Sequence, residues 1–165
     1  MELQTLKQVQ KALKGKHFRV AVDLGVGFGE YASLLKKHCD YLIGVVKDIE
    51  RVRISGYDIL YDKLIEEDIR TYTIPSEAEA VFLFDVIEHI NYVHGLTLLS
   101  KIGSRFCILT TPTKFFEVAL NGHASLWSVE DLESAGFKTV IYSCGFWREL
   151  LYGWKIIGVR GGSRT

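Results

Sequence analysis

The sequence predicts an α/β fold of the doubly wound kind, a mostly parallel sheet with helices on both faces. Three observations carry that reading. Buried-strand and helical patterns alternate along most of the 165 residues, as βαβ units with right-handed crossovers require. The runs HFRVAVDL (17–24), YLIGVV (41–46) and AVFLFDV (80–86) are continuously apolar rather than alternating, the profile of strands covered on both faces. Two strand patterns, FKTVIYS and GWKIIGVR, close the chain together, which suggests one antiparallel strand inserted near the sheet edge.

The elements follow in order. Leu3, Leu6, Val9 and Leu13 recur at helical spacing, so residues 2–14 read as a surface helix stopped by Gly15. After the first strand and its glycines, EYASLLKKHC places Tyr31, Leu34 and Leu35 on one side and predicts a helix over 28–38. DIERVRI, after the second strand, offers a short helix. Residues 55–80 are the least regular; a strand at 63–67 is preferred because Asp68 then stands at its end. IEHINYVHGLTLLSKI predicts a helix whose middle Gly95 weakens. RFCILTTP (105–112) is a strand closed by proline. SVEDLESAG has a serine before an acidic turn and a glycine at the end, which are helix start and stop signals.

Composition narrows the function classes. The length suits one domain over 1–165, with no linker, repeat or low-complexity stretch. Lys plus Arg number 20, as do Asp plus Glu, so charge gives no general nucleic-acid or membrane signal. No segment has the apolar length of a membrane span or the form of a secretory signal. Cys39, Cys107 and Cys144 are odd in number and never form CxxC, which points to reduced thiols in a cytoplasmic protein. CGFWRELLYGW (144–154) gathers aromatics around Arg148; it reads as a hairpin packing on the sheet or on a dimer partner, so a homodimer is compatible with the sequence.

The segment VAVDLGVGFGE (20–30) carries the first chemistry. Gly25, Gly27 and Gly29 permit positive φ and let a ligand touch the main chain. The dinucleotide fingerprint GxGxxG needs its third glycine where Glu30 stands, and no GK[ST] follows, so neither a pyrophosphate nor a P-loop phosphate suits this turn. Asp23, just before the loop, either faces a cationic ligand group or caps the turn. In doubly wound sheets ligands lie beyond the carboxyl ends of strands, and the loops 23–29, 46–48, 68–69, 85–89 and 111–127 all fall there.

DLGVGFGE resembles motif I of class I S-adenosylmethionine-dependent methyltransferases, and FDVIEHI (84–90) resembles the motif after their fourth strand. TTP (110–112) and HASLWSVEDLESAGF (123–137) also fit, in the right order. The resemblance runs from about residue 18 to the end. It implies a Rossmann-like seven-stranded sheet with the last strand antiparallel, and a methyltransferase acting on an acceptor of unidentified class. It further implies that Asp23, Gly25, Gly27 and Gly29 hold the methionine part of S-adenosylmethionine. Asp68 and Ile69 would lie by the adenine, and Asp85 and Val86 would close the site. The acid that usually ends strand two and binds the ribose is replaced by Val46. Either the loop brings Asp48 round to that role, or the bidentate contact is missing. A non-catalytic binding or regulatory module is the alternative; nucleotide-dependent oxidoreduction is disfavoured by Glu30.

Asp85, Glu88 and His89 stand within five residues, with His94 on the following helix and His123 in a later loop. Small-RNA 3′-end 2′-O-methyltransferases and ubiquinone-pathway O-methyltransferases carry similar motifs, and their resemblance implies a divalent metal on Glu88, His89 and His123 that positions a hydroxyl acceptor. The metal-free reading, with Glu88 capping a helix, His89 hydrogen-bonded to a neighbouring loop and His123 orienting the 121–127 loop, is the preferred one. For a hydroxyl acceptor, Asp85 or His123 are the candidate bases.

Overall fold

The computed structural model describes residues 3–113, 123–143 and 154–161. Its central strand is β1 (Phe18–Leu24), paired in parallel with β2 (Cys39–Val46) on one side and β4 (Ala80–Phe84) on the other. Beyond β2 lies β3 (Lys63–Glu66), and beyond β4 lies β5 (Phe106–Pro112), both parallel to their neighbours. β7 (Trp154–Arg160) inserts antiparallel between β5 and the edge strand β6 (Lys138–Ser143). The seven-stranded order is therefore β3-β2-β1-β4-β5-β7-β6. The expected antiparallel strand is present, one place in from the edge. Strand order reverses between β1 and β4, so their carboxyl ends diverge into a crevice.

Successive strand residues face opposite layers. Ala21, Phe82 and Ile108 pack with Val9 and Leu13 of α1 (Leu3–Leu13) on one face. Val22, Val81, Leu83 and Leu109 pack on the other with Leu98, Leu99 and Ile102 of α4 (Tyr92–Ile102) and Leu132 of α5 (Val129–Ser134). Each of the Val, Leu, Ile and Phe side chains among them contributes roughly 1.5–3 kcal/mol on full burial. This two-sided covering explains why the strands read as unbroken apolar runs.

Local chemistry sets the helix ends, and two expectations need correction. The predicted helix over 28–38 is only α2 (Ala32–Leu35), followed by a 3-10 turn at Lys36–His38. Gly27 and Gly29 hold φ of 61° and 84°, outside helical space, so winding starts after the loop. The predicted helix from residue 87 is a 3-10 turn at Ile87–His89, and α4 begins at Tyr92 with Asn91 as cap, its side chain accepting from the His94 amide. The carbonyl of Glu88 accepts instead from the amides of Ala124 and Ser125, at 2.7 and 3.1 Å. A strand of contacts from a distant loop thus replaces the first helical turn.

Gly95 does not weaken α4. It is buried, and a Cβ there would stand 2.4 Å from the Trp127 ring, so the glycine is what lets that indole dock. α3 (Ile49–Ser55) is capped by Asp48, which accepts from the Glu50 amide, and ends at Gly56 in the left-handed region. α5 starts with a capping box between Ser128 and Asp131. Cys39 and Cys107 are free and buried. Cys144 and the cluster 144–153 lie outside the described residues. Among the described residues no helix is long and apolar enough to cross a membrane.

Candidate functional site

A cleft of roughly 790 Å³ opens over the carboxyl ends of β1, β2, β3 and β4, at the point where strand order reverses. Its floor is the glycine loop. Gly25 has φ 79°, and a Cβ there would lie 2.6 Å from Val86, so the β1 turn and the β4 end touch only because one side chain is missing. The amides of Gly25 and Val26 both bond the Val45 carbonyl, at 2.8 and 3.2 Å, tying the loop to β2. Gly25 and Gly27 line the cleft. Gly29 instead packs on Tyr57, where a Cβ would fall 2.7 Å from that residue.

Asp23 lies beneath the loop, only 3% exposed, and is not part of the cleft wall. Its carboxylate accepts a 2.7 Å hydrogen bond from the Tyr61 hydroxyl. Burial pushes its pKa up to about 7, and the Tyr61 bond works against that rise. Tyr61 reaches it by crossing β2 at Gly44, where a Cβ would stand 2.7 Å from the tyrosine ring.

The second wall comes from β2 and β3. Val46 is buried and lines the cleft, and Lys47 and Asp48 follow it. The Asp48 carboxylate is more than half exposed and lies 3.6 Å from Arg51. Asp68 and Ile69 line the same end. Asp68 takes the Arg70 guanidinium on both oxygens and the Arg70 amide on one. That pairing lowers its pKa to about 2. Asp68 is therefore a fixed negative charge at the cleft margin.

The third wall is the FDVIEHI segment. Asp85 is the described non-glycine residue with positive φ, 54°, a conformation sustained only by its surroundings. Its amide bonds the Thr110 carbonyl at 3.0 Å, its Oδ1 accepts from the Thr110 hydroxyl, and its Oδ2 pairs with the Lys155 ammonium. Asp85, Val86 and His89 face the cleft. Glu88 is 1% exposed and accepts from the Thr111 hydroxyl at 3.2 Å. Burial, then the nearby Asp85 charge, pushes its pKa well above the usual carboxylate range.

His123 is delivered to this wall by a strap. The Ser125 hydroxyl donates to the carbonyls of Ile87 and Ile90 at 3.1 and 2.8 Å, and the Trp127 indole N–H donates to Ile87 at 3.3 Å. Together with the two amide bonds to Glu88, these place the His123 ring 5.1 Å from that of His89. One ligand atom from each of Glu88, His89 and His123 lies within 4.8 Å of the others. A mixed oxygen and nitrogen set at that spacing suits a divalent cation after a small inward movement. His123 has its pKa lowered, by burial first and by His89 second, which favours the neutral ring that a ligand or base needs. His94 is exposed on α4 and stands apart from the three.

Sequence reading alone missed Tyr61, Arg70 and Lys155, and gave Thr110 and Thr111 no role beyond their place in the TTP motif. Two signals were available: Gly44 inside the apolar run YLIGVV, since a strand glycine marks close approach, and Lys155 inside the equally apolar GWKIIGVR.

No family model matches the sequence, and no curated protein matches it. Solved structures do. The small RNA methyltransferase HEN1 superposes on 98% of this chain with a TM-score of 0.69 at 16% identity. This chain spans only 25% of the HEN1 chain's own length. A SAM dependent methyltransferase from Archaeoglobus fulgidus gives 0.67 at 18% identity, covering 95% of this chain and 92% of that one. The N-methyltransferase NodS from Bradyrhizobium japonicum WM9 gives 0.75 at 9% identity, with 96% and 95% covered. NodS has also been solved in complex with S-adenosyl-l-homocysteine. The fold is thus the Rossmann-like fold of class I S-adenosylmethionine-dependent methyltransferases.

Proposed function

We propose that residues 1–165 form one methyltransferase domain that binds S-adenosylmethionine in the 790 Å³ cleft and passes its methyl group to an acceptor at the FDVIEHI wall. The observation that carries this is the position of the cleft: a glycine-floored loop at the switch point, bordered by ion-paired aspartates at the ends of β2, β3 and β4. Asp48, Asp68 and Asp85 line it, each paired with a cation, Arg51, Arg70 and Lys155 in turn, so the bare glycine floor rather than net charge is what suits a ligand lying flat on the main chain. When bound, the cofactor supplies a methyl group open to a single in-line displacement.

The chain's residues then bind and orient. Gly25 and Gly27 keep the floor bare, Val86 and Ile69 give apolar contact, and Asp48 takes the ribose side in place of the acid absent at Val46. Asp68 lies toward the adenine. With a nucleophilic acceptor, alignment alone supplies most of the rate.

A second, finer reading is favoured by one observation, the convergence of Glu88, His89 and His123 within 4.8 Å. These three would hold a divalent cation, which would supply Lewis acidity toward a hydroxyl acceptor. Asp85, paired with Lys155, and His123 are then the groups near enough to take the hydroxyl proton. The buried position of Glu88 against Thr111 fits this set as well as a metal-free hydrogen bond does. A cytoplasmic location, from the free thiols of Cys39 and Cys107, accompanies the proposal.

Calorimetric titration with S-adenosylhomocysteine, with and without Mn²⁺, tests both readings. Micromolar binding, about −8 kcal/mol, is the expected result. Enhancement by Mn²⁺ that Glu88→Ala abolishes supports the hydroxyl-methylating reading. Absence of binding under every condition turns the chain into a non-catalytic module of the same fold.

A further inference from the structure

We propose that Tyr61, admitted across β2 by the missing side chain of Gly44, is a positioning residue of the cofactor site that acts through Asp23, holding that carboxylate beneath the glycine loop as the anionic partner of the ligand's ammonium group. The inference rests on the cofactor reading above and extends it to residues outside the cleft wall.

The geometry is specific. Asp23 and Gly44 are opposite one another in the β1–β2 register, and Leu64 of β3 is opposite Gly44 on its other side. A Cβ on Gly44 would meet both Leu64 and Tyr61 at 2.7 Å. The glycine is therefore a window through which a side chain from the segment before β3 reaches the strand beyond β2. Tyr61 passes through it, 8% exposed, and its hydroxyl ends 2.7 Å from Asp23 Oδ2. Nothing in core packing requires a hydroxyl there, since phenylalanine would fill the same space.

Among the described residues, Tyr61 is the side-chain donor to Asp23. On β2 its neighbour is Gly44 and on β4 it is Phe82, neither of them ionisable. From the segment before β3 comes Tyr61. Burial and the Tyr61 bond are the two influences on Asp23, and they leave it titrating at about 7. A buried carboxyl that is half protonated near neutrality is poorly suited to a structural role, because apolar side chains fill such space at less cost. It is suited to a ligand that brings its own positive charge. Gly25, which floors the cleft, is only two residues further along. A cationic amine settling on that floor stabilises the ionised form, so binding expels the Asp23 proton.

The test is calorimetry of S-adenosylhomocysteine binding between pH 6.5 and 9, repeated in buffers of different ionisation enthalpy to count protons. Release of about half a proton is expected at pH 7, giving way to net uptake toward pH 9, where the ligand's own amine has lost part of its charge in solution and regains it on binding. In Tyr61→Phe the ring remains over Gly44, so the fold is retained, while Asp23 loses its donor and holds its proton more firmly. Binding then weakens about fivefold at pH 7 and returns to the wild-type value near pH 9. Gly44→Ala, which closes the window, reproduces that shift. Asp85, His89 and His123 are ionisable groups of the opposite wall, so the same comparison is made in an Asp23→Asn background, where Tyr61→Phe has no pH-dependent effect.

Binding without proton release at pH 7 overturns the proposal, as does an equal Tyr61→Phe effect with and without Asp23. Wild-type protein that binds no S-adenosylhomocysteine at any pH overturns the cofactor reading, and this inference with it.

Discussion

Asp23 and Glu88 are carboxyls placed where their charge is costly. Both have folded-state pKa values above those of the unfolded chain, Asp23 reaching about 7 from 3.8. A raised carboxyl contributes its full share of stability below the unfolded pKa and loses it as pH climbs through the folded one. For Asp23 that loss accumulates between about pH 4 and 7, at roughly 1.4 kcal/mol per unit, and is constant above. Asp23→Asn keeps an acceptor for Tyr61 and removes the charge. Its melting temperature should exceed that of wild type at pH 8, by a margin that narrows at pH 5, while its affinity for S-adenosylhomocysteine drops. Equal melting curves at both values would mean that Asp23 is not held at a cost. On the proposed reading, stability is given up there for ligand binding, a common trade. It was half legible: the sequence marks Asp23 as the acid before a bare loop, but only the fold shows it buried under that loop and bonded to Tyr61.

At the scale of elements, the strap from His123 to Trp127 matters most. Its hydrogen bonds are to the Ile87–His89 turn and to Ile90, through Ser125, the Trp127 indole and two backbone amides. Trp127 is fully buried, with Gly95 beneath it and Tyr92 at 4.8 Å. Gly95→Ala drives a methyl group into that ring and should cost about 1–3 kcal/mol, measurable by urea denaturation. Its more informative consequence is at the site. A displaced strap carries His123 away from His89, so any gain in ligand affinity from Mn²⁺ should disappear while metal-free binding persists. Retention of the Mn²⁺ effect in Gly95→Ala would separate His123 from the metal. Helix propensity alone made Gly95 look like a weak point, because the partner that needs the space lies 32 positions along the chain.

For the whole molecule, the key link is between β4 and β7. Lys155, 7% exposed, comes from the antiparallel strand and pairs with Asp85 at the end of β4, beside Glu88. The pair joins the two halves of the sheet across β5, with Thr110 of β5 completing it. Lys155→Met leaves a buried Glu88 and a half-buried Asp85 without their cation. A buried pair broken on one side costs about 3–5 kcal/mol. Asp85 is 35% exposed at its side chain, so solvent screens part of that and about 1–3 kcal/mol is expected from denaturant unfolding. Asp85→Asn in the same chain should recover part of the loss. If Lys155→Met unfolds at the same denaturant concentration as wild type, the pair has no stabilising role.

The order of elements, the doubly wound sheet and its inserted antiparallel strand were readable from the sequence. Two-sided burial writes itself as apolar runs, and crossovers write themselves as alternation. Gly25, Gly27, Asp68 and Asp85 stood out as candidates because each stands in a loop directly after a strand, and all four line the cleft. What tertiary structure alone decided was which of these groups meet. Tyr61 under Asp23, Lys155 on Asp85, Arg70 on Asp68 and His123 beside His89 depend on strands and loops that pair through space. Helix lengths were also decided there: the 28–38 helix gives way to left-handed glycines, and the turn at 87–89 surrenders its carbonyls to the strap. Periodicity reports how a segment is buried, whereas a site is made by contacts between segments, and those are fixed only when the sheet closes.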